Sequence, residues 1–407
     1  MSRQTIIIIA VVFFLLVLGI VGIYYLQTNK TTTPGTSGSR FDFFPFGQGP
    51  NIFSSDTSST QGSSTTEETS FSSVQKLRQL TSVPVAGFLP LKDSQEYQVL
   101  YMERATGHVY SVSVSSGEAK RISNTTIPKV QSALWLPGGS GAVLQYLDTD
   151  EESIVTFSGA IATGTTEREL AGTFLPRNIL SVTLSPGGTL AYVLENGEGG
   201  DVTTSQPNGA KKTLLFSSPL KEWLVSWPAT STIMLSSKPS GETPGFLYFI
   251  NTTSKTLTSV LGNVPGLTAI ANRSLSRVVF AESGYGGISL KNLNTKTKEI
   301  AALPLNTLPL EKCAWSTLSD TVLFCAVPAE IPEGTYPDLW YQGSVSFVDN
   351  LWKIELDSGN STLLGILSDQ SNTTIDVVDP SISPDDRYVF FKNKNDGTLW
   401  SLELGSE

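Results

Sequence analysis

Five segments of this chain repeat one design: an apolar strand, a turn built from Pro, Gly, Ser or Asp, and a second strand rich in β-branched and aromatic residues. They are LWLPGGSGAVLQY from Leu134, VTLSPGGTLAYVL from Val182, VSWPATSTIMLSS from Val225, CAWSTLSDTVLFC from Cys313 and SISPDDRYVFFKN from Ser381. Weaker copies start at Gly87 (GFLPLKDSQEYQVLYME) and Ala269 (AIANRSLSRVVFAES). With Leu91, Leu136, Ser185, Trp227, Asn272, Ser316 and Ser383 taken as equivalent, the steps are 45, 49, 42, 45, 44 and 67 residues. A single unit of this size cannot bury its own hydrophobic face, so the copies must stack on one another.

Each hairpin is followed by a third, alternating strand and a short, more polar fourth, as in HVYSVSVSSGEAKRIS, FLYFINTTSKTLTSVL, GISLKNLNTKTKEIAAL and LWKIELDSGNSTLLGIL. Four strands in about 40–45 residues is the period of a propeller blade, and the last step of 67 carries an insertion. The final copy stops after DGTLWSLEL without a fourth strand, whereas VQKLRQLTS from Val74 reads as a fourth strand with no hairpin before it. Pairing the two ends closes a ring and hides the sheet edge that an open array would expose. The fold class is all-β, a propeller of seven four-stranded blades over residues 74–407 closed by its N-terminal strand, with six or eight blades as the alternatives.

The turns Ser185-Pro186-Gly187-Gly188 and Ser383-Pro384-Asp385-Asp386, each leading into a strand, and the run Asp396-Gly397-Thr398-Leu399-Trp400 resemble the TolB/WD40-like β-propeller repeats of bacterial envelope proteins. The resemblance extends from residue 74 to the C-terminus. The chain also resembles singly membrane-anchored bacterial propeller proteins, which share a long inserted loop ending in a W-K-I strand, here Trp352-Lys353-Ile354.

Upstream, residues 5–26 read TIIIIAVVFFLLVLGIVGIYYL, uncharged and free of proline, and about 33 Å long as a helix. This predicts a signal-anchor transmembrane helix over residues 5–27 that uses the lipid bilayer as its partner, with residues 1–4 as a short tail. A cleaved signal peptide would have a shorter apolar region ending in small residues, and no cysteine follows the run to take a lipid. Arg3 on one side nearly balances Lys30 and Arg40 on the other, so charge alone does not orient the helix. Residues 28–73, rich in Ser, Thr and Gly, form a flexible polar stalk that suits a chain leaving the membrane. The expected topology is a single-pass membrane protein, N-terminus cytoplasmic and propeller extracytoplasmic. The stalk holds an aromatic cluster, Phe41, Phe43, Phe44, Phe46 and Phe53, readable as a docking element or as an incidental patch.

An oxidising compartment gives the only two cysteines a meaning. If Thr317 faces Thr321 across the hairpin, Cys313 faces Cys325, which makes them a candidate cross-strand disulfide; two buried thiols are the alternative.

Charge and composition exclude whole classes of function. With 27 basic against 37 acidic residues the chain is no nucleic-acid binder, and its one histidine, His108, rules out multi-histidine metal sites. It has no phosphate loop, zinc motif or nucleophile elbow, and Asp148-Thr149-Asp150 lacks the Gly and bidentate Glu of a calcium loop. No cofactor, metal or catalytic residue is therefore assigned.

Binding residues are sought in the loops joining second to third strands, which the resemblance places on one face at the mouth of the central channel. They carry Asp148, Asp150, Glu151 and Glu152, then Glu195, Glu198 and Asp201, then Glu330, Glu333 and Asp338, and finally Asp396. One acidic face is expected, with ordinary solvated loop charge as the bland reading. The sixth-blade insertion VPAEIPEGTYPDLWYQGSVSFVDN adds Tyr336, Trp340 and Tyr341, either an exposed aromatic binding loop or a plug folded back on the channel. The expected role is an extracytoplasmic binding or scaffolding module with an envelope protein, peptide or glycan partner. A carboxylate-based hydrolase at the channel mouth, glycosidase-like, is the alternative.

Overall fold

The computed structural model describes residues 77–92, 96–161, 169–284 and 287–405. The expected helix at 5–27, the stalk at 28–73 and its aromatic cluster lie outside the described residues; among those described, no helix is long and apolar enough to cross a membrane.

Seven four-stranded antiparallel sheets follow one another along the chain. Blades 1 to 6 span residues 85–121, 132–174, 179–218, 223–265, 268–302 and 313–366, and blade 7 combines 377–403 with Leu77–Gln79. That N-terminal strand pairs with the last, setting Leu77 opposite Leu402 and Gln79 opposite Trp400. Thr81 extends the seam by accepting the Leu399 amide on its hydroxyl at 2.9 Å. Closure by the two chain ends occurs as the unmatched strands require.

Burial peaks at the second strand of a blade and falls toward its outer edge. Second strands such as Leu190–Glu195, Thr232–Ser237 and Val322–Pro328 are buried at nearly every position, because a neighbouring blade covers both of their faces. Third strands such as Gly287–Asn294 are more mixed, and the fourth strands Ala119–Arg121 and Ile300–Ala302 are wholly exposed. The core is consequently a ring of wedges between blades. Leu80, Val85 and Tyr97 meet Phe390 and Leu399 where blades 1 and 7 join. Phe324 and Leu351 of blade 6 meet Val389, Phe391 and Trp400 of blade 7.

Blade 6 departs from its neighbours in two respects. Its first two strands set Cys313 directly opposite Cys325, and the sulfurs are bonded. Between its second strand, Val322–Pro328, and its third, Asp349–Glu355, residues 329–348 are inserted.

Candidate functional site

In a ring of antiparallel blades, the loops joining second to third strands emerge on the same face as the connections between blades. The insertion therefore shares that face with the matching loops of the other blades, and its short helix α2 (Asp338–Tyr341) and the preceding Tyr336 are tied to blades 4, 5 and 7. Toward blade 4, the Gly241 amide donates to Asp338 Oδ2 at 2.7 Å. Toward blade 5, Ser283 Oγ donates to the Tyr336 carbonyl. Gly266 lies under that carbonyl at φ +63°, where an added Cβ would stand 2.7 Å from the oxygen, so the approach needs glycine twice over. Toward blade 7, Lys394 Nζ donates to the Trp340 carbonyl at 2.8 Å and lies 4.4 Å from the ring centroid of Trp340.

The expectation of an exposed aromatic loop is corrected at two of its three residues. Tyr336 is fully buried and Trp340 is 3% exposed; with Phe347 they complete the wedge between blades 5 and 6 against Val279, Ile288, Leu308 and Val327. Burying such rings removes more apolar surface from water than any other side chain would, and both polar tips find partners: Tyr336 OH donates to the Pro332 carbonyl and Trp340 Nε1 to Asp376. Tyr341 alone stays at the surface, 40% exposed.

Beneath α2 lies a charged cluster that no sequence pattern announced. Helix α1 (Pro309–Lys312) ends at Lys312, whose Nζ stands 2.5 Å from Asp349 Oδ2 and 2.6 Å from Asp376 Oδ1; all three residues are fully buried. Asp376 is well supplied with donors: besides Lys312 it accepts from Trp340 Nε1, Ser346 Oγ and the Phe347 amide. Asp349 accepts Lys312 and the Val377 amide on Oδ2, while its buried Oδ1 has no partner. Burial outweighs the attraction of Lys312 and pushes the Asp349 carboxyl up to about 6.

Next to Lys312, Glu311 accepts the Tyr341 hydroxyl on Oε1, and its Oε2 is sealed from solvent without a partner. Desolvation pushes this carboxyl up to about 7, against the opposing hydrogen bond from Tyr341. Leu310 and Cys313 on either side of this pair line a cavity of about 680 Å³ walled by inner strands of blades 1, 2, 3 and 7. Asp379 and Lys392 form an ion pair at 2.6 Å in that wall.

The loop acids share the insertion's face but form no common cluster. Asp148 accepts Arg177 at 2.6 Å, Glu151 lies 3.8 Å from Lys129, and Glu195 pairs with Lys221. Asp150 is bonded within its own turn to Ser153 and the Glu152 amide, and these bonds, Ser153 first, hold it down at about 2. Asp201 accepts Asn196 and Ser217, and Asp396 accepts the Thr398 amide and hydroxyl. Three of these acids pair with cations of the inter-blade connections and others bond within their own turns, so they do not converge on one site. Among the described residues no three His, Cys, Asp or Glu side chains gather to hold a metal ion. His108 lies in blade 1 against Thr126 at 3.0 Å.

No protein-family model matches the chain, and no curated protein matches it. Solved structures do. An oligogalacturonate lyase in complex with manganese superposes with a TM-score of 0.50 at 11% identity, over 80% of this chain and 97% of that one. An oligogalacturonate lyase from Vibrio parahaemolyticus gives 0.47 at 9% identity, over 80% and 98%. TolB from Acinetobacter baumannii gives 0.39 at 11%, over 77% and 78%. At such identities the first of these shows the fold alone, and the other two superpose too loosely to add to it. The expectation of an all-β propeller of seven four-stranded blades is met.

Proposed function

We propose that this chain is a membrane-anchored binding or scaffolding propeller of the cell envelope, and that the face bearing the blade 6 insertion is where an envelope protein, peptide or glycan docks. One observation carries the reading: residues 329–348 are tied to blades 4, 5 and 7 and hold Tyr341 at the surface against Glu311. A loop fixed at so many points loses little further entropy on binding, which is what a docking surface requires. Anchoring through residues 5–27 with the propeller outside rests on the uncharged apolar run and the polar stalk. External protease on intact spheroplasts is expected to cut the stalk; cutting only after lysis would reverse the orientation.

The docking reading is tested by cross-linking intact membranes that carry the wild type or Tyr341→Ala, with the captured set identified by mass spectrometry. Loss of one or more partners in the variant, with folding unchanged by circular dichroism, is expected. An identical set would contradict the assignment of this face.

A hydrolase reading has one observation in its favour. Glu311 follows the cavity-lining Leu310, and desolvation, with Asp379 adding to it, pushes its carboxyl up to about 7, the direction a general acid needs. It requires turnover of an envelope glycan that Glu311→Gln abolishes, and absence of turnover in the wild type would remove it.

A further inference from the structure

The buried cluster under α2 brings a primary amine, a carboxyl with an unpartnered oxygen and a second carboxylate into one dry space. Lys312, Asp349 and Asp376 are each fully buried, and the amine is roofed by aromatic rings, with Nζ 5.1 Å from the Trp340 centroid and 5.4 Å from that of Phe347. The two carboxyls are not equivalent. Asp376 is held by four donors and is the better place for a negative charge. Asp349 has no donor on Oδ1, which is where a proton belongs. The geometry points to an intramolecular amide bond between Lys312 Nζ and Asp349 Cγ, formed by the protein itself with loss of one water and with Asp376 as the proton carrier.

The arrangement supplies each part the condensation needs. The amine lies 2.5 Å from Asp349 Oδ2, so attack on the carboxyl carbon has the proximity of an intramolecular reaction. The Val377 amide donates to that same Oδ2 at 2.7 Å, where negative charge develops in the tetrahedral intermediate. Asp376 Oδ1, 2.6 Å from Nζ, takes a proton from the ammonium and frees the nitrogen lone pair. The Nζ–Cγ bond forms. A second proton passes from nitrogen through Asp376 to Oδ1 of Asp349, the Cγ–Oδ1 bond breaks, and Oδ1 departs as water. The three ammonium hydrogens and the one on Asp349 end as one on the amide, two in water and one on Asp376. No oxidant, metal or co-reactant enters.

The driving force is electrostatic. Before the step the site holds a cation and an anion that burial penalises; afterwards amide and carboxylic acid are both neutral and hydrogen-bonded. The bond would tie α1 to the start of the third strand of blade 6, next in sequence to the disulfide at Cys313.

The test is the intact mass of the purified full-length wild-type chain, reduced and denatured, followed by proteolytic mapping. The expected mass is lower than that of the sequence by one water, with a branched peptide joining Lys312 to Asp349. Asp376→Asn and Lys312→Arg are expected at full mass. Asp349→Asn is expected to lose ammonia in place of water. A wild-type mass without the deficit overturns the bond and needs no variant to fold. A branch at Asp376 overturns the assignment of the two carboxyls.

Discussion

Blades 2 and 6 both carry charge in the loop between second and third strands, and they use it in opposite ways. In blade 2 the loop after Leu147 is short, and its acids act locally: Asp150 caps its own turn through Ser153, and Asp148 meets Arg177 at the surface. In blade 6 the loop reaches three other blades, and the charges beneath it, Lys312, Asp349 and Asp376, are sealed from water. An exposed ion pair is screened and adds little to stability, whereas a buried one is strongly destabilising once a partner is removed. The same residue types shape a turn in one place and fix an architecture in the other.

The sharpest way to break this comparison is to delete one acid from each blade. Asp376→Ala strands the Lys312 cation and three further donors, and is expected to cost about 3–5 kcal/mol in urea unfolding. Asp150→Ala is expected to leave the midpoint almost unmoved. Equal effects would erase the distinction.

The aromatic residues of α2 divide in the same way. Trp340→Ala, which empties part of the wedge between blades 5 and 6, is expected to cost about 3–5 kcal/mol, and Tyr341→Ala under about 1 kcal/mol. Thermal or urea unfolding of both variants checks the order. Trp340→Ala with wild-type stability would mean that the insertion is not part of the core.

A smaller effect is expected from the disulfide. Cys313 and Cys325 close a short loop whose ends the sheet already pairs, so Cys313→Ser with Cys325→Ser is expected to cost about 1 kcal/mol, low in the usual range. Thiol labelling of the denatured, unreduced chain is expected to find no free cysteine.

The subtlest difference is in pH dependence. Glu311 near 7 binds a proton more tightly folded than unfolded, so its stabilising effect is full below the ordinary carboxyl range and is lost as pH rises toward about 7. Asp150 near 2 has the opposite sign: its contribution is present above the ordinary carboxyl range and is lost as pH falls toward about 2. Glu311→Gln is expected to flatten stability between about pH 4.5 and 7, and Asp150→Asn to flatten it only in acid. An unchanged slope in Glu311→Gln would place that carboxyl in solvent.

Whatever recurs along the chain was readable from it. Turn signals at a steady step define seven blades, the unmatched strands at 74–82 and after Asp396 define the closure, and one hairpin register brings Cys313 opposite Cys325. What occurs once was not readable. Lys312 meets Asp349 and Asp376 from 37 and 64 residues away, and none of the three belongs to a recurring motif. The only local hint is an acid inside an apolar stretch, as in FVDNLW around Asp349. The pairing of three loop acids was hidden for a related reason: Lys129, Arg177 and Lys221 come from other connections and share no motif with the acids. A proline-rich aromatic loop reads the same whether its rings face water or the core, so Tyr336 and Trp340 had to be located in three dimensions.

Whether the insertion is a fixed part of the propeller is tested most directly by hydrogen–deuterium exchange on the full chain at neutral pH. The Leu339 and Phe347 amides, bonded to the Thr335 carbonyl and to Asp376 at 3.1 and 3.0 Å, are expected to exchange as slowly as those of the second strand Val322–Pro328. Exchange as fast as that of the turn around Asp150 would make the insertion a loose arm and contradict the account.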